Sequence, residues 1–156
     1  MKLDSTLLAP TIAAARHSPR QRSHLVLHRS VEDAAQRFFG ALQTASFVRP
    51  HRHPDKDETL IAVRGRFLAL IFDDRGEVTE PALLAAGGET FGQLIPAGAW
   101  HSLIALEDGS AFFEVKNGPY RGAQDAEYAP WSPVEGSVYA LAFIERLRAR
   151  YSAEDS

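Results

Sequence analysis

Cysteine is absent from the chain, so neither a disulfide framework nor a thiolate metal site is available. Any metal must be held by nitrogen and oxygen. No run of about 18 or more apolar residues occurs, and the opening Met1-Lys2-Leu3-Asp4 lacks the apolar stretch of a signal peptide. A cytoplasmic location without a membrane partner is the default expectation. Net charge is also small: 17 basic against 20 acidic residues leave -3, which gives no electrostatic reason to expect nucleic acid as a partner. What is present is ordinary globular composition over 156 residues, enough for one domain with its own core. No internal repeat or low-complexity tract interrupts it.

Residues 1–45 read as an N-terminal helical or extended segment packed on the rest of the chain. Residues 46–156 read as the main body with a C-terminal extension and helix, the whole forming one domain. Within the first part, Ser30 caps a predicted helix with Asp33 three residues on, and Val31, Ala34, Ala35, Phe38 and Leu42 recur at helical spacing. Leu25, Val26 and Leu27 read as a short strand. The middle of the chain reads as successive strands: Leu60–Val63, Phe67–Phe72, Leu83–Ala85, Phe91–Ile95, Ser102–Leu106 and Ala111–Val115. Turn signals such as Asp73-Asp74-Arg75-Gly76 and Gly87-Gly88 separate them. Many short strands argue for a sandwich or barrel rather than a βαβ fold. After a Pro- and Gly-rich segment from Asn117 to Gly136, Ser137 to Tyr151 reads as a closing helix.

Candidate metal ligands are concentrated in His51-Arg52-His53-Pro54-Asp55-Lys56-Asp57-Glu58. Side chains two apart on a strand share a face, which puts His51 and His53 about 7 Å apart and pointing the same way. Glu58 follows a turn that lets the chain bring a carboxylate beside them. In Pro96-Ala97-Gly98-Ala99-Trp100-His101, Pro and Gly suit a tight turn that delivers His101 to the start of the next strand. Three nitrogens and one oxygen suit one divalent ion, Fe, Mn, Ni or Zn, and leave positions open on an octahedral one. The competing reading is a polar histidine cluster without metal. Asp57 rivals Glu58 by spacing, but lacks the six-residue gap to Gly65.

These residues resemble the two motifs of the cupin superfamily. His51, His53, Glu58 and Gly65 match Gly-x5-His-x-His-x3–4-Glu-x6-Gly, and Pro96, Gly98 and His101 match Gly-x5-Pro-x-Gly-x2-His-x3-Asn. Ala45, Thr90 and Ala105 depart from the pattern, none at a ligand position. The resemblance implies a mainly β fold, a double-stranded β-helix or cupin jelly roll, with an N-terminal helical segment and a C-terminal helix. Three segments also resemble the WbuC family of cupin-fold metalloproteins. They are Arg49 to Thr59, Glu114-Val115-Lys116-Asn117-Gly118-Pro119-Tyr120 and Ala129-Pro130-Trp131-Ser132-Pro133, with the Arg20-x-Arg22 stretch and His28 alongside. Its members are often encoded among genes for surface-polysaccharide synthesis, which implies polysaccharide metabolism without fixing a reaction. A homodimer is implied by the cupin resemblance, since cupins commonly pair through sheet edges.

Beyond the ligand set, Arg49 shares the parity of His51 and His53 and is a candidate anion clamp, unless Pro50 turns it outward. Gln93 shares a face with Phe91 and Ile95. Lys116 and Tyr120 sit where the last strand leaves the barrel, and His28 is a candidate through the family likeness. Trp100 is expected on the barrel wall and Trp131 as a pin for the C-terminal segment. The function expected from these residues is a metal-dependent enzyme, an isomerase or oxygenase, acting on a small polar molecule such as a sugar or sugar nucleotide. The alternative is a non-catalytic, metal-centred module that binds a saccharide or other small ligand. No acid/base residue beyond the ligands is evident from the sequence.

Overall fold

The computed structural model describes residues 1–153. The last three positions of the expected 46–156 range lie outside the described residues. After helix α1 (Ser5–His17) come β1 (Arg22–Val26), β2 (Ala35–Leu42), β3 (His51–Arg52), β4 (Glu58–Arg64), β5 (Arg66–Phe72) and β6 (Val78–Ala85). They are followed by β7 (Gly92–Ile95), β8 (Trp100–Ala105), β9 (Ser110–Asn117), β10 (Glu127–Tyr128) and helix α2 (Val138–Tyr151). The strands form two antiparallel sheets, ordered β1-β2-β9-β4-β7 and β10-β3-β8-β5-β6. From β3 to β9 the chain passes repeatedly from one sheet to the other, which makes the architecture a double-stranded β-helix. No helix among the described residues is long and apolar enough to cross a membrane.

Strand alternation sorts the apolar residues into three clusters. Leu42, Leu60, Ala62, Phe67, Ala69, Leu103, Ala105 and Phe112 fill the space between the sheets. Outside the first sheet, Leu8, Ile12 and Ala15 of α1 pack on Phe39, Ala41 and Ala111. Outside the second, Ala140, Phe143, Ile144 and Leu147 of α2 pack on Leu68, Leu70, Phe72 and Ile104. β5 is therefore covered on both faces, which is why it reads as an unbroken apolar run. Each fully buried Leu or Phe contributes on the order of 1.5–3 kcal/mol. Trp100 is buried on the outer wall of the second sheet, its indole N–H donating to Asp74 at 2.9 Å. Trp131 packs on Phe72, with ring centroids 5.1 Å apart.

The strands expected in the middle of the chain are present, β6 beginning earlier, at Val78. The expected short strand at Leu25–Leu27 appears as β1, starting at Arg22. The helix expected after Ser30 is a correction: Ala35–Leu42 is strand β2, paired with β1 on one side and β9 on the other. Phe38 faces the interior while Phe39 lies beneath α1. Both faces are apolar, so spacing alone does not separate a helix from a strand. Ser30 and Asp33 close a turn instead, the Asp33 N–H donating to the Ser30 carbonyl at 3.1 Å. The N-terminal helix is α1, capped by Asp4, whose carboxylate accepts the Leu7 N–H at 3.0 Å.

Candidate metal centre

β3 and β8 are neighbours in the second sheet, with His51 directly opposite His101. His53 lies just past β3, and Glu58 opens β4 in the facing sheet. Two hydrogen bonds join the loops that carry them. The Gly98 N–H donates to the His53 carbonyl at 2.8 Å, and the Ala97 N–H donates to Asp57 Oδ1 at 2.8 Å. Asp57 thus shapes the turn ahead of His101. Gly65, at the β4–β5 turn, has φ +69°, and a Cβ there would meet Ser110 Oγ at 2.3 Å, so only glycine fits.

The four side chains converge. The ring centroids of His51 and His101 are 4.3 Å apart, those of His51 and His53 5.3 Å, and those of His53 and His101 5.7 Å. One nitrogen from each ring lies within 4.8 Å of the other two. Glu58 Oε2 is 3.1 Å from His53 Nε2, and Oε1 is 3.4 Å from His101 Nε2. His53, Glu58 and His101 are each no more than 5% exposed.

Backbone carbonyls fix the tautomers. Nδ1 of His51 lies 2.8 Å from the Arg49 oxygen, Nδ1 of His53 2.6 Å from the Asp125 oxygen, and Nδ1 of His101 2.9 Å from the Ala99 oxygen. A carbonyl only accepts, so each Nδ1 carries hydrogen and each neutral ring turns the Nε2 lone pair inward. Nε2 of His53, Nε2 of His101 and Oε2 of Glu58 are buried without a hydrogen-bond partner. With the rings neutral, lone pairs converge on a carboxylate without a donor, an arrangement that a cation satisfies and that fits a divalent metal. Burial first, then the neighbouring His101, pushes His51 down to about 3, so that ring stays neutral at any ordinary pH. Burial opposes the charge on Glu58, but His101 and His53 outweigh it and hold the carboxyl well below its usual range. His101 moves the other way. Burial disfavours its charged form, and the Glu58 carboxylate overcomes this to raise it.

A cavity of about 320 Å³ adjoins the cluster, with His51 and His53 on its wall. Arg49, Lys116 and Tyr120 line it as well; Tyr120 is half-exposed at the rim. Gln93 does not. It is buried on β7, its amide donating to Glu80 at 3.3 Å. His28 is also away from the cavity, its Nδ1 accepting the Arg37 N–H at 3.1 Å. Arg20 and Arg22 both pair with Glu135 at 2.8 Å, and Arg22 and Glu135 form part of the wall.

Sequence reasoning misses three residues here. Glu114 is two before Lys116 on β9 and bonds to it at 3.2 Å, so strand parity is a usable signal. Burial first, then the charge of Glu58, lifts Glu114 to about 8 against the pull of Lys116. Lys56 and Asp125 form a fully buried ion pair. They come from distant segments, and nothing local announces the pairing.

A family model described as a domain of unknown function (DUF6016) matches residues 3–84. No curated protein matches the chain. Among solved structures, KdgF from Halomonas sp. is similar at 18% identity and TM-score 0.53, over 67% of this chain and 84% of that one. Oxalate oxidase in complex with the substrate analogue glycolate is similar at 16% identity and TM-score 0.56, over 86% and 74%. The capsular polysaccharide assembling protein CapF from Staphylococcus aureus is similar at 18% identity and TM-score 0.59, over 71% of this chain but 30% of that one. At these identities the likeness shows the fold, a cupin barrel.

Proposed function

For a chain that belongs to the DUF6016 family and folds as a cupin, we propose a metal-dependent enzyme acting on a small polar substrate such as a sugar or sugar nucleotide. The observation that carries the proposal is the set of inward lone pairs on His53, His101 and Glu58, buried and without a donor. His51, His53, Glu58 and His101 would hold one divalent ion, Fe, Mn, Ni or Zn. When bound, such an ion supplies Lewis acidity toward a carbonyl or hydroxyl oxygen.

The chain's own groups do the rest. The carbonyls of Arg49, Asp125 and Ala99 orient the imidazoles. Lys116 brings an ammonium to the cavity wall, backed by a Glu114 carboxyl that holds its proton near neutral pH. That pair is an acid/base device outside the ligand set, and it favours catalysis over passive binding. Polysaccharide metabolism is supported by the WbuC resemblance of the His51 and Lys116 segments. It is also supported by the likeness to a protein described as capsular polysaccharide assembling. A homodimer, implied by the cupin resemblance, belongs to the proposal.

Elemental analysis of protein purified without a metal-affinity column should find one divalent ion per chain. His53→Ala should lose most of it while keeping a folded barrel by circular dichroism. Stoichiometric metal in that variant would remove His53 from the ligand set. Metal-loaded protein should then convert a member of a panel of nucleotide sugars and sugar phosphates. Ligand-induced stabilisation without product would instead mark a binding module.

A further inference from the structure

We infer that the cavity takes a ligand bearing a carboxylate or phosphate group, seated on the free edge of Arg49. This deepens the proposed function and rests on it only for the ligand's second attachment, at the histidine cluster. The observation behind it is a guanidinium without a counter-ion on the wall of a cavity.

Each of the other charged side chains of that wall is held by an acidic or basic partner, although Lys116, whose partner Glu114 keeps its proton near neutral pH, adds a second positive charge. Arg22 and Arg20 share Glu135, Lys116 bonds Glu114, and Asp125 bonds Lys56. Arg49 has no carboxylate partner among the described residues. Its Nε donates to the Ser132 hydroxyl at 2.9 Å, and Nη2 faces the carbonyls of Ala129 and Ser132 at 3.5 Å each. Its guanidinium carbon lies 4.9 Å from the centre of the Tyr128 ring. Nη1 has no acceptor among the described residues.

One edge of the guanidinium is therefore locked by neutral oxygens, one face is supported by an aromatic ring, and the remaining donor edge is open. A planar fork held this way matches a carboxylate or phosphate and loses little freedom on binding one. Neutral hydroxyls cannot supply the missing charge. A divalent ion at the histidines, set against the single charge of Glu58, would add to the positive potential. The volume, about 320 Å³, fits a monosaccharide acid or sugar phosphate rather than a polymer. The ligand would span the cavity, its anionic group on Arg49 and an oxygen toward the imidazoles.

Calorimetric titration of zinc-loaded protein with D-glucuronate, glucose 1-phosphate and D-glucose tests this, with metal content measured on every sample. At least one of the two anions should bind about tenfold or more tightly than glucose. The stronger of the two distinguishes a carboxylate from a phosphate ligand. Arg49→Met should remove most of the preference at unchanged metal content, and Arg49→Lys should keep more of it. Ser132→Ala, which removes the Nε partner but not the charge, should weaken the preference less than Arg49→Met does, and a loss as complete as in Arg49→Met would place its source in a loosened 129–132 segment and overturn the inference. The inference is overturned if neither anion outcompetes glucose on the wild-type protein, or if Arg49→Met keeps the preference. Arg49-dependent anion preference in protein that takes up no metal would uphold the inference and sink the metal reading.

Discussion

Replacing Lys56 by Met removes the cation from a pair whose side chains are 2% and 3% exposed. Asp125 is then a buried carboxylate with only the Arg121 N–H, at 3.4 Å, as donor, and its Oδ2 has no partner even in the intact protein. Lys56 Nζ also donates to the Pro119 carbonyl at 2.5 Å, so the segment loses a second tie. Stranding one member of a buried pair costs about 3–5 kcal/mol. For a domain of this size that lowers the melting temperature by roughly 6–20 °C. The backbone oxygen of Asp125 also receives Nδ1–H of His53. A segment set loose should therefore release that ring and weaken metal binding about 10- to 100-fold. Urea unfolding of the metal-free protein measures the first effect, and competition with a chromogenic chelator measures the second. Adding Asp125→Leu to Lys56→Met removes the stranded charge and should recover much of the stability. Unchanged stability in Lys56→Met would refute the ion-pair argument. Lost stability with wild-type metal affinity would refute the link to His53.

Acid should release the metal in two widely separated regimes. Glu58 raises His101 above its ordinary 6.5, so a proton competes there first, while His51, near 3, competes only in strong acid. Chelator competition should show affinity falling already above pH 6.5, and a flat profile from neutral into mildly acid pH contradicts the assignment. For Glu114 the folded value, about 8, exceeds the ordinary 4.5. Its contribution is fully present below about 4.5 and is lost as pH rises through 8. Metal-free Glu114→Gln should accordingly gain stability relative to wild type from pH 5 to 8, and parallel unfolding curves would count against it. Gly65→Ala should cost about 2–4 kcal/mol, from the left-handed backbone and the collision with Ser110, read as a lower urea midpoint.

The parts of this molecule that are legible in the sequence are those whose signal is local. His51 and His53 share a strand face, and Pro96-x-Gly98 is a turn that points His101 back at them. The structure brings these side chains and Glu58 together. Gly65 is visible as a motif position, and its cause is a positive φ beside Ser110. β2 reads as a helix because it is sandwiched between the interior and α1, leaving no polar face to fix its period. The N-terminal helical segment is expected, but α1 is not located within it because Pro10 stands inside the helix, although Leu8, Thr11, Ile12 and Ala15 trace one helical stripe. The Lys56–Asp125 pair and the Arg20–Glu135 contact link residues far apart in the chain, where a single sequence carries no sign of partnership.

The placement of β2 and Glu135 bears on synthesis at the ribosome. β2 finds its long partner only when Ser110–Asn117 has left the exit tunnel. The cavity wall gains Glu135, which anchors Arg20 and Arg22, later still. A growing polypeptide can thus carry both motif histidines in solution well before any enclosure exists around them. Capture of an ion in the finished geometry must wait until Glu135 has emerged, and interruption of translation shortly before Glu135 leaves a half-walled barrel with its apolar interior within reach of chaperones.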